Sequence, residues 1–162
     1  MTAARVTLAA ADAEDLEAIS ARLQDAVAQV KDLVFLPKSR RFVGLFNRFK
    51  WESAGKHGGA RVRTGLHIDG VLSAKATHLK RDNPGAVASL LAIRFSPRSG
   101  DDPGGTIELT FAGGGALRLE VECIEAELRD LGAAWRTEIM PKHSVCDFEA
   151  MPATAKFLQD TE

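Results

Sequence analysis

Polar and apolar positions alternate with period two through most of the middle of this chain. The clearest stretch is GTIELTFAGGGALRLEVECIEAELRDLG, residues 105–132. Ile107, Leu109 and Phe111 alternate with Glu108 and Thr110, and after three glycines Leu117, Leu119, Val121 and Cys123 alternate with Arg118, Glu120 and Glu122. That is the pattern of two half-buried strands, joined by a turn in which Gly113–Gly115 supply positive φ angles. Placing Phe111 opposite Leu117 gives one continuous apolar face and sets Glu108 against Glu120, with Arg118 on the diagonal. The period then changes. Ile124, Leu128 and Leu131 fall at i, i+4 and i+7 and predict a helix that Gly132 would close. Trp135 is expected to pack back on the same core.

Earlier elements follow the same logic. Asp12 is placed to cap a helix carrying Leu16, Ile19, Leu23, Val27 and Val30 on one side, about four turns long. Leu33–Leu36 is a short apolar run stopped by Pro37, and residues 37–40 read as a turn. Arg41 to Trp51 reads as a strand with Val43, Leu45, Phe49 and Trp51 on one face, interrupted by Asn47, and Phe42, Phe46, Arg48 and Lys50 on the other. Arg61 to Ile68 turns Val62, Thr64, Leu66 and Ile68 inward, and Arg61, Arg63 and His67 outward. Asp69-Gly70 is a two-residue hairpin signal, with Val71 to Leu79 as the return strand and Val87 to Phe95 as another. Ser96 to Gly104 reads as a loop, and residues 136–147 as extended.

The resulting expectation is an α+β protein of about seven antiparallel strands in a strongly curved sheet or pleckstrin-homology-like barrel. It has an N-terminal helix and a helix after the last strand. The barrel is a fold-level analogy and brings no function with it; an open sheet with both helices on one face is the competing arrangement. A chain of 162 residues suits one domain, taken as residues 1–143, with 144–162 as a C-terminal tail.

Composition narrows the classes. There is no apolar run of the ~18 residues a bilayer span needs and no secretory signal pattern, and two cysteines make no disulfide framework. The cytoplasm is the expected compartment. Charge is unevenly distributed under a net −1: residues 1–30 carry −3, residues 31–98 carry +10 and residues 99–162 carry −8. The division suits either an anionic partner or two halves of the chain holding each other.

Specific chemistry is hard to find. The triple glycine lacks the Lys-Ser or Lys-Thr and the helix of a phosphate loop. His57, His67, His78 and His143 show no ligand spacing, so neither a metal nor a cofactor is expected. Cys146 and Asp147 lie near His143 without a nucleophile motif around them, and the acidic pairs 120/122 and 125/127 fit solvated faces. The basic middle is the remaining clue. Lys38, Arg40, Arg41, Arg61 and Arg63 are the candidate contact patch, with Arg48 and Lys50 read as further outward cations of the same basic strip and Phe42 and Phe46 interleaved. Against this, cations ordinarily solvate outer sheet faces and the two rings are readily buried under a helix. Three function classes follow: a non-catalytic binding module with a basic patch for an anionic or protein partner; a structural or self-associating protein; and an enzyme whose site is assembled from distant residues.

The phrases DLEAISARLQDAV, FVGLFNRFKWE, LLAIRF and ELTFAGGGALRLEVECIEAELRDLGAAW resemble a family of small bacterial proteins known only as a domain of unknown function, over about residues 12–143. That resemblance implies no activity, cofactor or catalytic residue.

Overall fold

The computed structural model of the chain describes residues 6–50, 59–80, 82–83 and 85–137. Trp51, His57, His143, Cys146, Asp147 and the tail from residue 144 lie outside the described residues, as does most of the expected 136–147 segment.

Among the described residues, ten strands form one antiparallel sheet. They are β1 (Thr7–Ala10), β2 (Val27–Gln29), β3 (Leu33–Leu36), β4 (Arg41–Phe49), β5 (Gly59–Asp69), β6 (Val71–Thr77), β7 (Val87–Pro97), β8 (Gly105–Phe111), β9 (Ala116–Val121) and β10 (Ala126–Thr137). The spatial order is β1-β10-β5-β4-β2-β7-β8-β9-β6, and β3 runs beside the first half of β4. The single α-helix among the described residues, α1 (Ala13–Leu23), lies mainly against β7 and β1. Residues from both ends of the strand order, Leu128 of β10 and Val71 of β6, share one core with Leu16, Ile19 and Leu23 of α1. The sheet therefore curls around its apolar face and the helix fills the hollow. It does not close, because β1 and β6 do not pair with each other.

The expected fold, about seven antiparallel strands in a strongly curved sheet or barrel with a helix at each end, is thus corrected, among the described residues, to an open ten-stranded sheet with one α-helix. The helix expected after the hairpin is strand β10. Ala126, Leu128 and Asp130 are buried while Glu127 and Arg129 face outward, a period of two that a buried aspartate disguised as a helical polar face. Gly132 does need its positive φ of 71°, but it serves an irregularity in β10 between Leu131 and Trp135. Trp135 is 41% exposed and does not return to the core. At the N-terminus, Asp12 caps α1 by accepting from the Asp15 amide at 2.8 Å. The helix is shorter than expected: Asp25 takes a positive φ, and Val27 and Val30 pass into β2 and a 3-10 turn (Val30–Asp32).

Two pairings also differ from expectation. Asp69-Gly70 does not turn a hairpin: β5 pairs with β4 and β10, and β6 pairs with β9. The link carries the chain from one half of the sheet to the other. The β8–β9 hairpin exists, but Leu109 faces Leu117 and Ile107 faces Leu119, two positions from the expected register. The apolar face survives a two-residue shift, and Glu108 now meets Arg118 directly at 3.4 Å instead of another glutamate.

One polar cluster lies inside. On the core-facing side of β4, β5 and β10, Arg48 donates to both carboxylate oxygens of Asp130 at 2.8 Å, from Nε and from one terminal nitrogen. Both side chains are fully buried. Thr64 donates its hydroxyl to Asp130 Oδ1 at 2.8 Å, and the Val6 amide donates to Oδ2 at 2.9 Å. Burial pushes the Asp130 carboxyl up; the Arg48 bonds, the Val6 amide and the Thr64 hydroxyl outweigh it and hold the group below its ordinary value.

Removing one partner of such a pair leaves an uncompensated buried charge. Arg48→Ala is expected to cost about 3–5 kcal/mol in urea unfolding, whereas the apolar double variant Arg48→Met with Asp130→Leu recovers most of that loss. An Arg48→Ala cost below ~1 kcal/mol would place the pair among ordinary surface bridges. The pH dependence has a definite sign. Because the folded-state value is depressed, the unfolded chain binds this proton first as pH falls. The contribution is complete above the ordinary aspartate range near ~4 and is lost progressively below it. Asp130→Asn is expected to flatten the stability profile between about pH 5 and 3.

Candidate functional site

Pro37 fixes its own φ and starts a 3-10 turn (Pro37–Ser39) between β3 and β4. The turn ends on Arg40 in the left-handed conformation, φ 51°, where a side chain is disfavoured. Two contacts hold it there. The Arg40 carbonyl accepts from the Val71 amide at 2.9 Å, and its guanidinium pairs with Glu122 in the β9–β10 connection. Arg41, the first residue of β4, faces Asp69, the last of β5, and donates to its two oxygens at 2.6 and 3.4 Å. Lys38, exposed on the same turn, makes no ion pair among the described residues. Three chain connections therefore meet at one corner, carrying Lys38, Arg40 and Arg41 with Glu122 and Asp69.

Arg61 and Arg63 are on the same outer face at the other end of β4 and β5, opposite Phe49 and Asn47. Arg61 stacks its guanidinium 5.9 Å from the Phe49 ring centre and donates to the Asn47 carbonyl at 3.2 Å. From the Arg41 position to the Arg61 position the register runs eight residues, about 27 Å at ~3.4 Å per residue. The structure thus brings three of the five candidate cations together and sets two apart. Arg48 and Lys50, which the pattern had grouped with the basic strip, are buried, and Phe42 and Phe46 lie in the core with exposures of 1% and 0%. Neither ring is available to a second copy of the chain.

Sequence reasoning missed the acidic side of this corner. A cleft of roughly 490 Å³ opens beside Arg41, walled by Ala9–Ala11 and lined by Asp15, His67, Asp69, Glu125 and Glu127. His67 is directly opposite Glu127 on β10. Its Nε2 is 3.0 Å from Glu127 Oε1 and its Nδ1 is 3.6 Å from Asp69 Oδ2. The hydrogen bonds from His67 and then Arg129 hold Glu127 below the ordinary glutamate range. The bond to Asp69 raises Arg41 above the usual arginine value, with Glu125 and Glu127 adding to it through space. His67 was legible as an outward position on β5; its neighbours were not, because Glu125 and Glu127 read as a helix face and Asp69 as a turn. Among the described residues no group of three or more His, Cys, Asp or Glu is arranged to hold a metal ion, and no helix is long and apolar enough to cross a membrane.

Residues 6–143 match the protein family described as Protein of unknown function (DUF2948). The chain belongs to that family. No curated protein and no solved structure gives a match. The DUF2948 match contains every described strand and both ends of the basic strip, and the family carries no activity to transfer to them.

The corner's ion pairs in this DUF2948 chain are solvent-exposed, and exposed pairs are worth little. A double-mutant cycle of Arg41→Ala and Asp69→Ala is expected to give a coupling energy of at most about 1 kcal/mol in urea unfolding. A coupling above ~2 kcal/mol would mean that Arg41 is locked in place and not exchangeable for an outside carboxylate.

Proposed function

We propose that this chain is a non-catalytic binding module whose outer β4–β5 face docks a protein partner, with Lys38, Arg40 and Arg41 as the principal contacts. Residues 1–143 form its domain, with residues 144–162 as a tail. The observation that carries this reading is the mosaic of charge at the corner: three successive exposed cations where the turn enters β4, interleaved with Glu122, Asp69, Glu125 and Glu127.

A duplex nucleic acid or an acidic bilayer is negative across its whole breadth and would meet those carboxylates together with the arginines. A protein surface can present alternating sign, accepting from Arg40 and Arg41 where it is acidic and pairing with the glutamates where it is basic. Size supports the same choice. A footprint of about 800 Å² per partner is some 28 Å across, close to the separation of Arg41 from Arg61 and Arg63. A small anion would reach one end of the strip only. The free, half-buried thiol of Cys123 supports a reducing cytoplasm as the compartment.

The test is binding of three probes at low salt, each to the native chain and to the triple variant Lys38→Glu, Arg40→Glu, Arg41→Glu. The probes are a peptide alternating acidic and basic pairs, a short duplex DNA, and phosphatidylserine vesicles. The reading expects salt-sensitive binding of the peptide alone, lost in the triple variant. DNA or vesicle binding that disappears in the variant would replace a protein partner with a polyanion. No probe binding at low salt would remove the corner as a contact surface.

A further inference from the structure

We infer that His67 is a proton-operated control on the basic corner: taking up a proton at Nδ1, it bonds Asp69 and loosens that carboxylate's hold on Arg41. The argument begins with the ring's two nitrogens. Nε2 is 3.0 Å from Glu127 Oε1. A carboxylate only accepts, so Nε2 carries a hydrogen and, in the neutral ring, Nδ1 is left with a lone pair. Nδ1 is shielded from solvent and has no hydrogen-bond partner among the described residues.

Its nearest acidic atom is Asp69 Oδ2, 3.6 Å away, two unshared electron pairs facing each other across a gap too long for a bond. That same Oδ2 is the weakly held oxygen of Asp69. Arg41 grips Oδ1 at 2.6 Å through Nε and reaches Oδ2 only at 3.4 Å through a terminal nitrogen. Protonation reverses the Nδ1 contact from lone-pair repulsion to a charge-assisted hydrogen bond. Closing that gap requires the carboxylate to rotate or shift toward the ring, away from the terminal nitrogen of Arg41.

The other charged groups around the ring are mostly acidic. Glu127 on β10 accepts from it, Arg129 on β10 pairs with Glu127, and Asp15 of α1 and Glu125 line the cleft beside it. On β4 the cation facing Asp69 is Arg41. Carboxylates outnumber cations in this set. The link does not depend on the identity of a partner; it concerns how firmly Arg41 is held within the protein itself.

The experiment follows the Arg41 Nε–H and His67 ring resonances by NMR from pH 8.5 to 5 in the native chain, in Asp69→Asn and in His67→Gln. The expected result is that Arg41 Nε–H shifts with the same midpoint as His67 in the native chain and does not titrate over this range in either variant. Both substitutions are at a partly exposed surface, and the heteronuclear spectrum reports whether each variant is folded. An Arg41 resonance that stays fixed while His67 titrates would overturn the inference, as would an Arg41 shift that persists in His67→Gln. Because no probe is added, this outcome is independent of whether the corner binds a protein.

Discussion

A fully buried salt bridge sits where three strands converge, and much of the sheet is arranged to satisfy it. Asp130 takes two bonds from Arg48 and one from Thr64, and its backbone and side chain both bond Val6, the residue that leads into β1. Burying two charges costs several kcal/mol per ion before they attract each other. The return is positional. The bonds come from three separate segments, so β4, β5, β10 and the chain entering β1 can meet the carboxylate in only one register. A one-residue slip of any strand would turn its contribution to the opposite face and leave a charge alone in the core.

That register also determines what lies outside. Strand side chains alternate, so fixing Arg48, Thr64 and Asp130 inward obliges Arg41, His67, Asp69, Glu127 and Arg129 to share the outer face. The corner where Arg41, Asp69 and His67 meet is thus the outward consequence of the inner pair.

The same pair explains where the sequence could and could not be read. β5, β8 and β9 were legible because Val62, Leu66 and Ile68, or Ile107, Leu109 and Phe111, alternate with polar neighbours and really are buried. β10 was not, because Asp130 occupies a core position with a polar side chain; removing one apolar position from a six-residue alternation leaves Leu128 and Leu131 at apparent helical spacing. Arg48 misled in the same way, reading as one more cation in a basic strip. β1 and β2 are four and three residues long, too short for a period to emerge. The Asp69-Gly70 step has the local chemistry of a hairpin, yet both flanking strands find better partners elsewhere. No dipeptide signal can anticipate that competition. Of the candidate site, the cations at 38, 40 and 41 were visible as a local cluster, while Glu122, Asp69 and Glu127 became its neighbours only through pairings between distant segments.

The lopsided distribution of charge along the chain acquires its meaning from these pairings. A middle segment of +10 followed by a segment of −8 would make a strongly polarised molecule if each kept to itself. The fold interleaves them instead. Arg40 meets Glu122, Arg48 meets Asp130 and His67 meets Glu127, each pair joining the basic middle to the acidic remainder. Threading β10 between β1 and β5 places the acidic segment directly against the basic one. Long-range steering by a uniform field is thereby surrendered, since opposite charges a few ångströms apart cancel beyond roughly one screening length of ~8 Å. What survives is contrast at short range, where individual donors and acceptors are distinguished. Contrast of this kind is set by the pattern of neighbouring charges and not by their sum.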